Sequence, residues 1–115
     1  MKKVEYSQIV RNKLKKLKEQ LVDKFGTKVA KKNIDKILQN VESLAEFEEM
    51  GVLLSSIYNI ECDYRILHTQ RNYLIYRVEL EKVIIVEMFD ERENFMYKLF
   101  GIQTLLKDDT DYWDD

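Results

Sequence analysis

The sequence has no proline, three glycines and one cysteine in 115 residues. A single thiol forms no disulfide within the chain, so the fold depends on its core, which 45% hydrophobic residues can supply. This cysteine usage also predicts a reducing compartment. Cys62 has no cysteine or histidine at ligand spacing, and the chain has no glycine-rich phosphate loop. We therefore expect neither a metal nor a cofactor.

Long apolar runs are also missing from the chain. No stretch approaches the ~18 apolar residues of a membrane span. The first residues carry charges where a signal peptide has an apolar run. We expect a cytoplasmic protein with no membrane partner, and the length predicts a single domain.

The net charge of −2 hides an asymmetry along the chain. Residues 1–36 hold 12 Lys and Arg against 4 Asp and Glu, which gives +8; residues 37–115 hold 7 against 17, which gives −10. Five of the acidic residues lie in the last nine, "KDDTDYWDD". A non-specific nucleic-acid-binding protein is strongly basic overall. Any phosphate site in this chain therefore has to be local.

The first half of the chain predicts a strand and two helices. Residues 3–6 alternate, and Ser7 can cap the helix that follows. Gly26 ends that helix and Thr27 can cap the next, so a break of one or two residues predicts an antiparallel hairpin. The apolar positions at helical spacing are Val10, Leu14, Leu17, Leu21 and Phe25 in the first helix and Ala30, Ile34, Ile37, Leu38, Val41, Leu44 and Ala45 in the second.

The second half predicts a loop and three strands. Residues 47–63 have no clear period and turn at Gly51, and strands follow at about 64–69, 72–79 and 82–89. The order is β-α-α-β-β-β with a C-terminal segment. It defines an α+β fold in which a two-helix hairpin packs on a small antiparallel sheet.

The strand pattern leaves both faces of this sheet largely apolar. Two-residue turns pair His68 with Tyr73 and Val78 with Val83, and side chains then alternate between the faces. One helical hairpin covers only one face, so the C-terminal segment or another protein has to cover the other. The face that we expect to stay open and to bind a partner contains Arg65, Leu67, Leu74 and Tyr76.

Three motifs, in this order and spacing, resemble the RelE/ParE toxins of bacterial type II toxin–antitoxin systems. They are "SLAEFEEMG" (43–51), "DYRIL" with "NYLIYRVE" (63–79) and "VEMFDERENFMYKLFG" (86–101). Glu48 departs from the family, which often has proline there, and Asn72 stands where glycine is common. The resemblance covers roughly residues 2–101 and implies a cognate antitoxin as partner. We expect one toxin domain at 1–106, followed by an acidic tail at 107–115.

The resemblance implies two branches of function. In the RelE-like branch the toxin cleaves mRNA in the ribosome, and here the matching catalytic residues are Arg65, Arg92 and Tyr97. In the ParE-like branch the toxin inhibits DNA gyrase and needs no catalytic set. We expect the RelE-like branch, with gyrase inhibition, or a decayed toxin that only binds its antitoxin, as alternatives. Leu67 is apolar where a second lysine would help a nuclease.

Each arginine also has a structural interpretation. Arg65 can pair with Glu87 across the same sheet face instead of binding phosphate. Arg77 can reach a carboxylate of the fold, and Arg71 lies at a turn tip where it is solvated. If Arg65 and Arg92 converge near Tyr97, they can clamp a phosphate between two guanidinium groups.

The acidic tail generates a first prediction. Opposite charge predicts that Tyr112 and Trp113 carry the tail onto the basic helical half, which it then screens. Removing residues 108–115 is expected to raise the affinity for a polyanion such as heparin, most strongly at low salt. Equal affinity of the full and shortened chains, measured by titration at two salt concentrations, would mean that the tail screens nothing.

Overall fold

The computed structural model describes residues 1–58 and 61–93. The expectations for Tyr97, for the C-terminal segment, for the domain boundary at residue 106 and for the acidic tail lie outside these residues. The described elements are the strands β1 (Lys3–Tyr6), β2 (Val52–Leu53), β3 (Arg65–Thr69), β4 (Asn72–Val78) and β5 (Lys82–Asp90), the helices α1 (Gln8–Phe25), α2 (Thr27–Glu42) and α3 (Leu54–Ile57), and a 3-10 turn at Ser43–Ala45.

The helical hairpin forms as the sequence predicts, with one difference at its tip. The Ser7 hydroxyl accepts a hydrogen bond from the Val10 amide at 3.2 Å and caps α1. Gly26, at φ +90°, ends α1 and is also the N-cap of α2. The prediction that Thr27 caps α2 is wrong, because Thr27 is already the first helical residue. No helix among the described residues is long and apolar enough to cross a membrane.

The five strands form one sheet in the order β1-β5-β4-β3-β2. The predicted α+β fold, a two-helix hairpin packed on a small sheet, is confirmed. The sheet differs from the predicted antiparallel one in one pairing, since β1 runs parallel to β5 from Lys3–Lys82 to Tyr6–Ile85. A parallel neighbour needs a long connection, and the helical hairpin and the strands after it supply one. The segment predicted as a loop contains β2 and α3, which the absence of a period did not reveal.

Both tight turns match the prediction. His68 pairs with Tyr73 and Val78 with Val83. Gln70 and Arg71, at φ +49° and +63°, supply the left-handed pair of a two-residue hairpin turn.

A β-bulge then changes the faces in the second half of β5. Ile75 pairs with Glu87 and Tyr76 with Ile85, so Val86 has no partner opposite. The extra residue moves Met88 to the helix side of the sheet and Phe89 to the other side, the reverse of the faces that strict alternation from Val83 and Ile85 would give them.

Two cores result, one on each face of the sheet. The helix-side core contains Val10, Ile37, Val41, Leu44, Leu67, Leu74, Tyr76, Val83, Ile85 and Met88. The second cluster contains Leu54, Ile66, Ile75 and Phe89, with Ile57, Tyr58, Cys62, Tyr64, Tyr73 and Val86 packed against it. It includes side chains from α3 and from the segment before β3, which therefore cover part of the face opposite the helices.

Candidate functional site

The helical hairpin covers the face that the sequence analysis left open. Leu67, Leu74 and Tyr76 are buried under α1 and α2, and the latter two have no exposed surface. The expectation that they form an open partner-binding face is therefore wrong. The composition of the faces gives the reason: the opposite face contains amphipathic side chains such as Tyr64 and Tyr73, which tolerate partial exposure better than Leu67 and Leu74. The Tyr76 hydroxyl on the helix side is satisfied by backbone groups instead.

Arg65 stabilises a loop instead of presenting a free guanidinium. Its Nη1 donates to the carbonyl of Gly51 at 2.8 Å and to that of Glu49 at 3.4 Å. The Glu49 carboxylate lies 4.0 Å from Nη2 and is mostly exposed, so solvent weakens that attraction. The pairing with Glu87 is also wrong, because Glu87 binds Lys13.

Tyr76 binds the same loop from beneath. Its hydroxyl accepts from the Gly51 amide at 2.8 Å and donates to the Glu48 carbonyl at 2.8 Å. Burial raises the pKa of Tyr76, which keeps the phenol protonated and able to donate. A Cβ on Gly51 would lie 2.6 Å from both the Ile66 carbonyl oxygen and the Tyr76 hydroxyl. We call this arrangement of Tyr76, Arg65 and residues 48–51 the loop latch.

Arg92 lies at the other end of the sheet. It donates from Nε to Asp90 at 2.8 Å, its side chain is 86% exposed, and these hydrogen bonds hold the pKa of Asp90 below its usual value. Asp90 pairs with Asn72, which pairs with the last residue of β3, whereas Arg65 begins β3. The length of β3, about 13 Å at the usual rise of a strand, separates the two ends. The predicted convergence of Arg65 and Arg92 is wrong.

A cleft at the Arg92 end contains other polar groups. It measures about 450 Å³ and lies between the hairpin tip and the β3–β4 turn, with Lys24, Arg71 and Asp90 in its walls. Arg71 is exposed, as the turn position predicts. Arg65 is not among the residues that line this cleft.

The remaining polar side chains of the strands pair within the fold. Arg77 binds Glu79 at 2.8 Å, and His68 Nε2 lies 2.8 Å from a Glu91 carboxylate oxygen. In the described part of the chain, no three His, Cys, Asp or Glu side chains are placed to hold a metal ion. Three cations of the described residues line the cleft at the Arg92 end, namely Lys24, Arg71 and Arg92 itself, and Arg92 is paired with Asp90.

The clearest binding feature is an apolar edge that the sequence analysis missed. Residues 47–53 run from the latched loop into β2, which is an edge strand of the sheet. Their sequence has no clear hydrophobic period, so it did not predict an exposed apolar surface. The acidic residues Glu46 and Glu49 lie beside Phe47 and Met50, and both are exposed. The exposed large apolar side chains of this edge are Phe47, Met50, Val52 and Leu53. We call these four the apolar edge.

Comparison with known proteins agrees with this fold. The family model of the ParE toxin of type II toxin–antitoxin systems (parDE) matches residues 4–95. A solved structure of the chromosomal ParDE TA system from P. aeruginosa matches with a TM-score of 0.65 and 17% identity, over 78% of this chain and 96% of that one. No curated protein matches the chain. The chain belongs to the ParE toxin family of type II toxin–antitoxin systems.

The loop latch generates a stability prediction. Tyr76→Phe leaves the Gly51 amide and the Glu48 carbonyl without their partner, which typically costs about 1–3 kcal/mol for each buried group. Gly51→Ala is expected to destabilise as well, because the added methyl meets backbone. Arg65→Met keeps the apolar stem and loses the hydrogen bonds, with an expected loss of about 1–2 kcal/mol. Urea unfolding measures all three variants.

The matched control is Arg92→Met. Its ion pair is exposed, so the expected change is within about 0.5 kcal/mol. Equal losses for Arg65→Met and Arg92→Met would contradict the structural role of Arg65.

Proposed function

We propose that this chain is a toxin that acts by binding and inhibiting DNA gyrase, and that a cognate antitoxin neutralises it. The observation that carries the proposal is the position of Arg65. Its guanidinium is committed to the backbone of the latched loop, at the opposite end of β3 from Arg92. Membership of the ParE family supports the same branch, for which the resemblance implies gyrase as the target.

Cleavage of mRNA is the second candidate and has weaker support. Hydrolysis or transfer at a phosphodiester needs cations that converge on the developing charge. In the described part of the chain, Arg65 and Arg92 do not converge. The proposed catalytic role of Tyr97 lies outside that part and stays a prediction.

The antitoxin is proposed to bind the apolar edge. Phe47, Met50 and Val52 are each about half exposed or more, and clustered apolar side chains with a polar rim mark protein-binding surfaces. The exposed Glu46 and Glu49 adjoin Phe47 and Met50 in the chain, and their carboxylates favour a partner with lysines or arginines beside its apolar residues. The solved relative from P. aeruginosa is a toxin–antitoxin system, which supports a partner of this class. A cytoplasmic location, where gyrase and antitoxin both act, belongs to the same proposal.

The target is tested with two assays on the same protein. Purified full-length chain is expected to inhibit supercoiling by gyrase and to leave ribosome-bound message intact in primer extension. Arg92→Met should inhibit as strongly as the wild type, since its exposed ion pair serves no catalysis. Cleaved message that disappears in Arg92→Met would instead establish the nuclease. A protein that gives neither effect, yet binds its antitoxin, would be a decayed toxin.

The proposed antitoxin surface is tested by introducing a negative charge into the apolar edge. Val52→Asp places a carboxylate among apolar side chains and is expected to weaken antitoxin binding tenfold or more, about 1.4 kcal/mol. Val29→Asp is the control, because Val29 lies in α2 and is exposed to a similar extent as Val52, 50% against 52%. Isothermal titration with the antitoxin from the adjacent gene gives both affinities. Equal weakening by the two variants, or none by Val52→Asp, removes the edge from the proposal.

A further inference from the structure

The helical hairpin carries a large local excess of positive charge. From Gln8 to Glu42 there are ten lysines and arginines against four aspartates and glutamates, a net of +6 in a chain whose total is −2. Two of these cations are paired: Lys13 with Glu87, and Lys31 with Asp35. The others are exposed and have no ion pair within the described residues; they are Arg11, Lys15, Lys16, Lys18, Lys24, Lys28, Lys32 and Lys36.

Three of the four cations of α2 form a single stripe. Lys28, Lys32 and Lys36 follow one another at four-residue spacing, which places them on the same side of the helix about 6 Å apart along its axis. Like charges at this spacing destabilise a helix. On α1, Arg11, Lys15 and Lys18 form a second stripe by the same rule. The hairpin therefore presents two self-repelling rows that a polyanion would stabilise.

We call the eight unpaired cations of α1 and α2 the lysine surface. We infer that this lysine surface binds the phosphate backbone of duplex DNA. The inference rests on the proposed function, because gyrase holds DNA and a toxin docked on that complex would meet the duplex. Lysines are compact point charges that suit phosphates without base recognition. Asn12 and Gln39, which are exposed on the same helices, are of the polar type that contacts phosphate and sugar.

The apolar content of the hairpin surface argues against a protein as the occupant. A protein interface has an apolar or aromatic centre. The large apolar side chains that α1 and α2 expose are Ile9, at the start of α1, and Phe25 and Val29, beside the tip. The middle of the two rows is polar, which fits a phosphate backbone better than the surface of an acidic protein.

The test uses the full chain and a fluorescein-labelled 20-base-pair duplex, with anisotropy measured from 50 to 200 mM salt. The wild type is expected to bind with an affinity that falls steeply as salt rises. Lys28→Gln, Lys32→Gln and Lys36→Gln combined should lower the slope of log affinity against log salt by about three. The control changes the charge by the same amount away from the helical hairpin, through Lys3→Gln, Lys82→Gln and Leu80→Glu, and should keep most of the slope. Circular dichroism verifies the fold of both variants.

Three results would overturn the inference. The first is no binding of the duplex at 50 mM salt, and the second is an equal loss of salt slope in the hairpin and control variants. The third is tighter binding of polyglutamate than of the duplex at equal charge, which would indicate an acidic protein partner. The gyrase assay separates this inference from the proposed function. If the hairpin variant loses DNA binding and still inhibits supercoiling, the proposed function stands. If the wild type binds DNA and does not inhibit supercoiling, gyrase is rejected as the target and the DNA-binding surface stands.

Discussion

The structure depends on a mismatch between a sheet that is apolar on both faces and a single helical hairpin that can cover only one. The hairpin takes the more aliphatic face, where Leu74 and Tyr76 are fully buried beneath Val10 and Ile37. The opposite face packs against α3 and the segment before β3. Burial at about 25 cal/mol per Å² makes either uncovered face costly.

The loop latch links this core to the apolar edge. Because the Tyr76 phenol is anchored among helix-side residues, its two hydrogen bonds fix residues 48–51 relative to the sheet. β2 begins directly after Gly51, so the latch also positions the exposed side chains of Val52 and Leu53. A binding surface on a short strand would otherwise lose affinity to the ordering of its loop. The hydroxyl is thus a stability determinant that also preorganises the proposed antitoxin site.

Local signals in the sequence predicted most of the fold and little of the site. Apolar spacing and Ser7 located α1, Gly26 ended it, and the positions of β3, β4 and β5 followed from alternation and short turns. The parallel pairing of β1 with β5 joins residues about eighty apart and leaves no local mark. The bulge at Val86 was equally invisible, since a purely alternating strand has the same composition. It reversed the faces of Met88 and Phe89.

Arginine partners were the hardest feature to predict, for a physical reason. Arg65 binds carbonyl oxygens, which every residue has, so no side-chain pattern could identify Gly51 as its partner. Arg92 and Arg77 pair with carboxylates two residues away, Asp90 and Glu79, which local inspection could have found. Once these partners are known, the described arginines of the strand region are structural or solvated. The charge left for binding an anion then belongs to the eight lysines and arginines of α1 and α2 that have no ion pair within the described residues.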